Sequence, residues 1–277
     1  MKKFSVLGFA AALLIAAVIF EISSFSGQAD DISVASPGNN GPEAAELMKV
    51  IMPKNVKSQI KEYEGFTTSF NSETRNPNYS AWELLESETE GAARRSNKFW
   101  QDADLSGCPD KTDYSGSGYD RGHLCPAADQ KWTPKAMLDC FSMANMCPQW
   151  PGLNSGAWNT LEQKCRSWAK RDSALIIVAG PIFERSNKKY LNRSDIRIPD
   201  AFFKVILAPY LKEPRAIGFI YPNYTSPGNM NNYAMSIDDV EKETGYDFFS
   251  ALPDALENRL ESNFNLKEWN TAVCGRP

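Results

Sequence analysis

Three apolar runs in the C-terminal half of the chain constrain the fold more than any other feature of the sequence. They are SALIIVAGPIF at 173–183, AFFKVILAPY at 201–210 and RAIGFIYPN at 215–223. Short runs rich in β-branched and aromatic residues predict buried strands. Helical patterns at 155–170 and 252–261 are interspersed with them without a strict strand–helix–strand rhythm. We therefore predict an α+β fold in which a central, mostly antiparallel sheet is flanked by helices.

The N-terminal segment has the pattern of a targeting sequence. Lysines at positions 2–3 precede the uncharged, mostly apolar stretch 4–20, and small residues follow up to Ala29. This order is typical of a signal peptide cleaved after Ala29, although the apolar stretch is also close to the length of a membrane span. Residues 1–29 are therefore predicted to be a signal peptide or an N-terminal anchor. The chain is expected to be exported, either secreted or periplasmic or attached to a membrane through this segment.

The rest of the chain is predicted to be a linker followed by one domain. Residues 30–55 begin with Ser, Pro, Gly and Asn and then turn mildly apolar, which is typical of a linker. Residues 56–277 contain no internal repeat and are long enough to bury a core. The formal net charge of the whole chain is −4 at pH 7. This charge argues against a protein that binds nucleic acid over its whole surface, so a nucleic-acid site has to be local.

The cysteines of the chain all lie beyond the predicted targeting segment. They are Cys108, Cys125, Cys140, Cys147, Cys165 and Cys274. An even number of cysteines in an oxidising compartment favours disulfides, up to three of them, with the pairing left open. A zinc site is a weaker interpretation, because the sequence has no CxxC pair and a single histidine.

That single histidine, His123, lies in GSGYDRGHLCPAAD at 116–129. An imidazole with an unperturbed pKa of about 6.5 suits acid–base chemistry at neutral pH. Further along, NMCPQWPGLNSGAWNTLEQKCRSWAKR at 145–171 predicts an extended stretch and then a helix that starts near Asn154. Glu162 follows two turns later, about 80° round the helix. Taken singly, Asn154 would be a helix N-cap and Glu162 a solvated side chain.

Taken together, these residues resemble the DNA/RNA non-specific endonucleases of the ββα-metal (His-Me finger) class. The resemblance rests on DRGH at 120–123 and on the spaced Asn–Trp–Leu–Glu pattern at 145–162, and it extends over roughly residues 60–250. It implies a ββα-metal nuclease fold over the domain 56–277. It also implies metal-dependent hydrolysis of the phosphodiester bonds of DNA and RNA, with 5′-phosphate products. Recognition through phosphates makes the base sequence unimportant.

The resemblance implies a role for several individual residues. His123 matches the general base, Asn154 the direct ligand of a single Mg²⁺, and Glu162 the residue that holds the water molecules of the metal. Mn²⁺ is a substitute for Mg²⁺. Arg121 is expected to contact the scissile phosphate because it shares a strand face with His123. Asn145 matches a second site asparagine that helps to arrange the active site, and it is expected to bind substrate. No glycine-rich phosphate loop follows a strand, so no organic cofactor is expected.

An upstream arginine of the family stabilises the transition state, and two residues here compete for that position. Arg95 matches it, but the local spacing in RRSNKF leaves Arg94 as an alternative, and both are expected to bind substrate. Because the chain is acidic overall, the two arginines are expected to join Arg121, Lys131 and Lys135 in a local positive groove.

Three neighbours of the motif residues are given supporting roles. Asp120 is expected to point away from His123 and to be structural, because side chains alternate along a strand. Gly122 is expected to let a backbone or a phosphate approach closely. Gln149 matches a family position and is expected at most to support the site from behind.

Two other functions remain open at the level of sequence. A Cys–His hydrolase would use Cys125 together with His123, two residues away on the same strand face. A non-catalytic domain of the same fold would bind nucleic acid without cutting it. Sensitivity to thiol alkylation identifies the first, and metal-independent binding without strand scission identifies the second. The oligomeric state is left open.

Overall fold

A seven-stranded antiparallel sheet forms the centre of the protein. The computed structural model describes residues 42–271 apart from 185, 187, 192, 193 and 225–227. The predicted signal peptide or anchor at 1–29 lies outside the described residues, as does Cys274. Within the described part of the chain, no helix is long and apolar enough to cross a membrane.

Strands and helices follow one another in a mixed order along the chain. The strands are β1 (Val50–Ile51), β2 (Gln59–Glu62), β3 (Thr67–Asn71), β4 (Asn76–Leu85), β5 (Asp120–His123), β6 (Met146–Gln149), β7 (Ala174–Ile182), β8 (Ala201–Ala208), β9 (Arg215–Pro222), β10 (Ala234–Met235) and β11 (Asp247–Phe248). The helices are α1 (Pro42–Leu47), α2 (Pro134–Asp139), α3 (Pro151–Leu153), α4 (Asn159–Asp172), α5 (Ile237–Thr244), α6 (Asp254–Glu261) and α7 (Leu266–Asn270). A π-helical turn, Asn154–Trp158, joins α3 to α4.

The central sheet has the strand order β10-β9-β8-β7-β4-β3-β2, and every neighbouring pair is antiparallel. The three apolar runs form β7, β8 and β9, which lie side by side because strands that follow one another in sequence usually pair. Their register places Ile177 opposite Ile206 and Val205 opposite Gly218. The predicted α+β fold with a mostly antiparallel central sheet is confirmed.

Both faces of this sheet are covered, because side chains alternate along its strands and each set finds an apolar partner. Leu175 and Ile177 of β7 pack on the face that carries α4, here called the α4 face. Ile176 and Val178 point to the opposite face, which packs against α1, α5 and α6 and is called the α5–α6 face. Burial on both sides explains why β7 is a continuous apolar run rather than an alternating one.

Residues 42–51 differ from the predicted linker. They form α1 and β1, in which Ala44 and Leu47 are buried against the α5–α6 face and Val50 pairs with β11. The interpretation of 30–55 as a linker is therefore wrong for its C-terminal part. The mildly apolar residues there are apolar because the domain core covers them.

The cysteines also differ from the prediction. All five that the structure describes are free and buried, namely Cys108, Cys125, Cys140, Cys147 and Cys165. The expectation of up to three disulfides is wrong for these five. The last four pack inside the apolar cluster of the α4 face, where a thiol behaves as a small apolar side chain.

Candidate active site

The strand pair β5–β6 and the helical segment that follows it converge on one cavity of the α4 side of the molecule. β5 and β6 are antiparallel, with His123 opposite Met146 and Asp120 opposite Gln149, and β6 runs directly into α3. The cavity has a volume of about 380 Å³. Its lining residues are Arg95, Asn97, Phe99, Asp120, Arg121, His123, Pro126, Ala127, Ala128, Asn154, Asn159, Glu162 and Arg166. The structure thus brings together five residues that the sequence singled out, since His123, Arg121, Arg95, Asn154 and Glu162 all lie here.

His123 is held between two aromatic rings at the wall of the cavity. Its ring centroid lies 4.8 Å from that of Phe141, in an edge-on contact, and 5.9 Å from that of Phe99. Nε2 is buried and has no hydrogen-bond partner among the described residues. Burial and the positive charges of Arg95 and Arg121 lower the pKa of His123 to about 3. The imidazole is therefore neutral at pH 7 by a wide margin, rather than near its ordinary titration as the sequence suggested.

Arg121 lies two residues before His123 on β5, and both residues line the cavity. Its guanidinium carbon is 4.4 Å from the centroid of Phe99, a cation–π contact, and NH1 donates a hydrogen bond to the carbonyl of Lys111 at 3.2 Å. Its Nε is buried without a partner among the described residues. A guanidinium held in this way keeps N–H groups that can donate hydrogen bonds to an anion in the cavity.

The two competing upstream arginines are separated by their surroundings. Arg95 lines the cavity, where its guanidinium carbon lies 5.0 Å from the centroid of Phe141 and its Nε donates to Oδ1 of Asn97 at 2.9 Å. Both residues are exposed, but Arg94 is not among the lining residues. Only Arg95 therefore shares the cavity with His123.

The positive groove contains fewer of the basic residues than predicted. Nζ of Lys135 is taken by carboxylates, at 2.5 Å from Asp139 and 3.8 Å from Glu64, and neither Lys135 nor Lys131 lines the cavity. The third guanidinium in the cavity belongs instead to Arg166, which the sequence reasoning missed. Its spacing of four residues from Glu162 on α4 is a signal that could have identified it, because such residues share a helix face.

Asn154 is not a helix N-cap, because the helical segment begins three residues earlier with α3. It lies in the π-helical turn with helical φ and ψ of −56° and −51°, and the chain kinks at Gly156. Turns of this kind inside helices are frequent at functional sites. Nδ2 of Asn154 donates to Oδ2 of Asp120 at 2.9 Å. Since a carboxylate only accepts, this bond directs the amide nitrogen toward Asp120 and leaves Oδ1 for another partner.

Asp120 therefore contributes to the cavity more directly than its predicted structural role implied. It lines the same cavity as His123 instead of pointing away from it, because its partner Asn154 arrives from the helix that follows β6. Asn159, one turn further, is a second lining residue that the sequence analysis did not include.

Glu162 stands in the first turn of α4 and faces the cavity. Burial raises the pKa of Glu162 to about 7, and the positive charges of Lys204 and Arg166 oppose that rise. Lys204 is fully buried, with Nζ 4.5 Å from the ring centroid of Trp158. Together, the Glu162 carboxylate and the Asn154 amide oxygen offer two hard oxygen ligands to a cation in the cavity.

Asn145 does not line the cavity. It is fully buried, its Oδ1 accepts from Oγ of Ser80 and from the backbone N–H of Cys125, and its Nδ2 donates to the carbonyls of Cys125 and Cys140. All of its hydrogen-bonding capacity is used within the protein. This position gives no support to the predicted substrate contact of Asn145. The residue ties the end of β5 to the central sheet, as expected of an asparagine that helps to arrange the site.

The space above Gly122 is also occupied by the protein itself. A Cβ at this position would lie 2.3 Å from Oε1 of Gln149, so the side chain of Gln149 lies where we expected a backbone or a phosphate to approach. Gln149 is buried and does not line the cavity, which agrees with a supporting position.

Cys125 lacks the properties of a nucleophile. It is fully buried, and burial raises the pKa of its thiol well above the ordinary value. Reactive cysteines are instead accessible and have a lowered pKa. The geometry therefore opposes the Cys–His hydrolase interpretation.

Comparisons with known proteins identify the family of this chain. Residues 43–255 match the sequence profile of the DNA/RNA non-specific endonucleases. Nuclease 1, mitochondrial, of Schizosaccharomyces pombe is 30% identical over 256 residues, covering 83% of this chain and 79% of the relative. Nuclease C1 of Cunninghamella echinulata var. echinulata is 35% identical over 228 residues, covering 76% of this chain and 90% of the relative.

A solved structure agrees with the sequence relatives. The crystal structure of the EndoG/EndoGI complex matches with a TM-score of 0.67 and 25% identity, covering 71% of this chain and 87% of that chain. EndoG is a ββα-metal nuclease, so the predicted fold family is confirmed.

The relatives contradict the predicted localisation. The S. pombe relative and several others are named as mitochondrial nucleases, which overturns the expectation of an exported protein. The family match over residues 43–255, the relatives and the shared fold together show that this chain is a nuclease and belongs to the DNA/RNA non-specific endonuclease family.

Proposed function

We propose that this nuclease hydrolyses phosphodiester bonds of both DNA and RNA, with His123 as the general base and with a single Mg²⁺ held directly by Asn154 and through water by Glu162. The products would carry 5′-phosphates. One observation carries the proposal: the imidazole, the amide oxygen, the carboxylate and the arginines line one cavity of about 380 Å³.

The donors in the cavity fit a magnesium ion. Asp120 holds the amide nitrogen of Asn154, so its oxygen is the atom left to face a cation. Glu162 adds a carboxylate oxygen, and no sulfur or second imidazole lines the cavity among the described residues. Mg²⁺ favours a few such hard oxygen ligands and keeps most of its water, and Mn²⁺ accepts the same donors. When bound, the ion would neutralise charge that develops on the phosphate and the leaving oxygen.

His123 suits the role of base because its neutral form is available at pH 7. Its Nε2 is buried, so Nδ1 is the nitrogen that would take a proton from water in the cavity. The rings of Phe99 and Phe141 hold the imidazole in one orientation. Burial lowers the pKa of His123 most, and Arg95 and Arg121 lower it further. A bound phosphate would partly neutralise the two arginines, which would make the imidazole a stronger base once substrate is present.

The cationic groups of the cavity account for the proposed lack of base specificity. Arg121 and Arg95 present guanidinium groups, which match phosphate geometry in two-point contacts. Arg121 would bind the scissile phosphate, and Arg95 would stabilise the charge of the transition state. Contacts to phosphate do not read sequence and do not depend on the sugar, so DNA and RNA should both be cut.

The test is cleavage of supercoiled plasmid and of a long RNA by the full chain, with Mg²⁺ or with a chelator. His123→Ala should abolish cutting of both substrates, because no other histidine is present in the sequence. Labelling of the products with polynucleotide kinase should require prior removal of a 5′-phosphate. Full activity of His123→Ala would contradict the proposed base.

A matched pair of arginine variants tests the transition-state role. Arg95→Ala should lower kcat by roughly 10²-fold, the usual cost of losing one group that stabilises transition-state charge. Arg94→Ala, its exposed neighbour, should leave kcat nearly unchanged. Equal effects of the two substitutions would refute the assignment.

The non-catalytic alternative makes a different prediction. A domain that only binds nucleic acid would retain its affinity in chelator and would leave the plasmid supercoiled.

Iodoacetamide treatment tests the Cys–His hydrolase alternative, because a nuclease with a buried Cys125 should keep its activity after the reagent is added.

A further inference from the structure

A cluster of carboxylates lies on the α5–α6 face of the sheet, away from the cavity. It consists of Asp238 and Glu241 on α5 and Glu261 at the end of α6. One carboxylate oxygen from each residue lies within 4.8 Å of the oxygens of the other two. Two consecutive helices thus bring three acidic side chains to one point.

Glu261 makes this cluster unlike an ordinary acidic surface. Only 7% of the residue is exposed, and its Oε1 is buried with no hydrogen-bond partner among the described residues. A buried carboxylate oxygen without a partner costs free energy, which a ligand at that oxygen would offset. Glu241 is partly committed already, because its Oε1 accepts from the backbone N–H of Phe248 at 2.8 Å.

The charges around the cluster are of the same sign. Burial, followed by the negative charges of Glu241 and Glu257, raises the pKa of Glu261 to about 9. Burial also raises the pKa of Glu241 to about 7. The hydrogen bond from the Phe248 N–H opposes this rise, and the negative charge of Asp247 adds to it. Without a cation, the cluster therefore has to take up protons near neutral pH.

The basic residues of the same two helices do not neutralise the cluster. Arg259 on α6 pairs with Glu213, with NH1 3.6 Å from Oε2. Lys242 on α5 lines a separate cavity that lies beside Trp150 and Tyr224. A cation for the cluster must therefore come from outside these helices.

We propose that Asp238, Glu241 and Glu261 form a Ca²⁺ site that joins α5 to α6. Ca²⁺ takes several carboxylate oxygens at about 2.3–2.6 Å in flexible geometry, so oxygens bound to one ion lie at most about 5 Å apart. The three oxygens of the cluster, all within 4.8 Å of one another, satisfy this limit. Mg²⁺ requires shorter distances and a stricter octahedron. Zinc is disfavoured because no histidine or cysteine belongs to the cluster.

The site would act on stability rather than on catalysis. α5 and α6 both pack on the α5–α6 face through residues such as Ile237, Val240 and Leu260. An ion that bridges the helices stabilises this packing only in the folded protein, since the unfolded chain does not assemble the three carboxylates.

Calorimetric titration of the full chain with CaCl₂ tests the proposal in the Asn154→Ala background, which removes the direct ligand in the active-site cavity. One Ca²⁺ should still bind. Adding Glu261→Gln should weaken binding at least tenfold. Glu243→Gln, the same change at an exposed position of α5, should leave the affinity unchanged.

Thermal unfolding gives a second readout. At a Ca²⁺ concentration one hundredfold above the Kd, the midpoint should rise by about 5 °C in the Asn154→Ala protein. At the same concentration it should rise by about half as much or less after Glu261→Gln. If Glu261→Gln does not fold, Asp238→Asn at the exposed edge of the cluster should show the same loss of affinity. Absence of Ca²⁺ binding in the Asn154→Ala protein, or binding that both cluster substitutions leave intact, would overturn the proposal.

Discussion

The hydrogen bond between Asp120 and Asn154 allows a sharp test of how the proposed metal ligand is oriented. Oδ2 of Asp120 accepts from Nδ2 of Asn154 at 2.9 Å, and both side chains are part-buried. A carboxylate cannot donate, so only one of the two amide orientations satisfies it. In Asp120→Asn, the new amide can either accept or donate, and the orientation of Asn154 is no longer imposed.

The structure sets the size of the expected effect. A hydrogen bond to a charged group contributes about 1.5–3 kcal/mol, which corresponds to about 10- to 150-fold in an equilibrium constant. Because Asp120 and Asn154 are only part-buried, the lower half of this range applies. We therefore expect Asp120→Asn to raise the half-saturating Mg²⁺ concentration by about 10- to 40-fold, while kcat at saturating Mg²⁺ changes much less.

The assay is plasmid nicking over a range of Mg²⁺ concentrations at fixed ionic strength. Asp113→Asn is the matched control, because Asp113 also accepts a hydrogen bond at 3.0 Å, from Arg75, but does not line the cavity. A half-saturating Mg²⁺ concentration equal to that of the wild type in Asp120→Asn would refute the proposed orientation of Asn154.

Three further predictions follow from the same geometry. Gly122→Ala should lower the free energy of unfolding by about 1–3 kcal/mol in urea titrations, because the new Cβ would overlap the Gln149 side chain, and an unchanged midpoint would contradict this. The pKa of Glu162, raised to about 7, means that its ionised form dominates only above that pH, so the half-saturating Mg²⁺ concentration should fall between pH 6 and pH 8. Glu162→Gln should abolish this dependence on pH. Arg166→Ala should lower the free energy of unfolding by about 3–5 kcal/mol, because it removes the ion pair of NH1 with Oδ1 of the buried Asp129 at 2.8 Å. Adding Asp129→Asn should restore most of the loss.

Some elements of this protein were accessible from sequence because their determinants are local. The strands β7, β8 and β9 are buried on both faces, so each one is an apolar run with strand-forming composition. The helix α4 carries its apolar residues at helical spacing. His123, Asn154 and Glu162 were singled out because their motifs resemble those of the endonuclease family, and the structure places all three at one cavity.

Other features depend on contacts between distant parts of the chain. The role of Asn145 is set by Ser80, which is 65 residues away in sequence, and Arg95 is distinguished from Arg94 only by its contact with Phe141. The residues next to Asn145 and Arg95 in the sequence do not indicate these partners. The same holds for the free cysteines, because a buried thiol and a disulfide have the same letter in the sequence.

The sequence by itself determined the fold class and the main chemical groups of the site, because hydrophobic periodicity and motif spacing depend on residues close together in the chain. Only the tertiary structure decided the pKa of His123, since burial and the two arginines act through space. It also decided the orientation of Asn154, which depends on β5 reaching the helix that follows β6. Electrostatic and hydrogen-bond effects of this kind depend on distance and solvent exposure, and both arise only when the chain has folded.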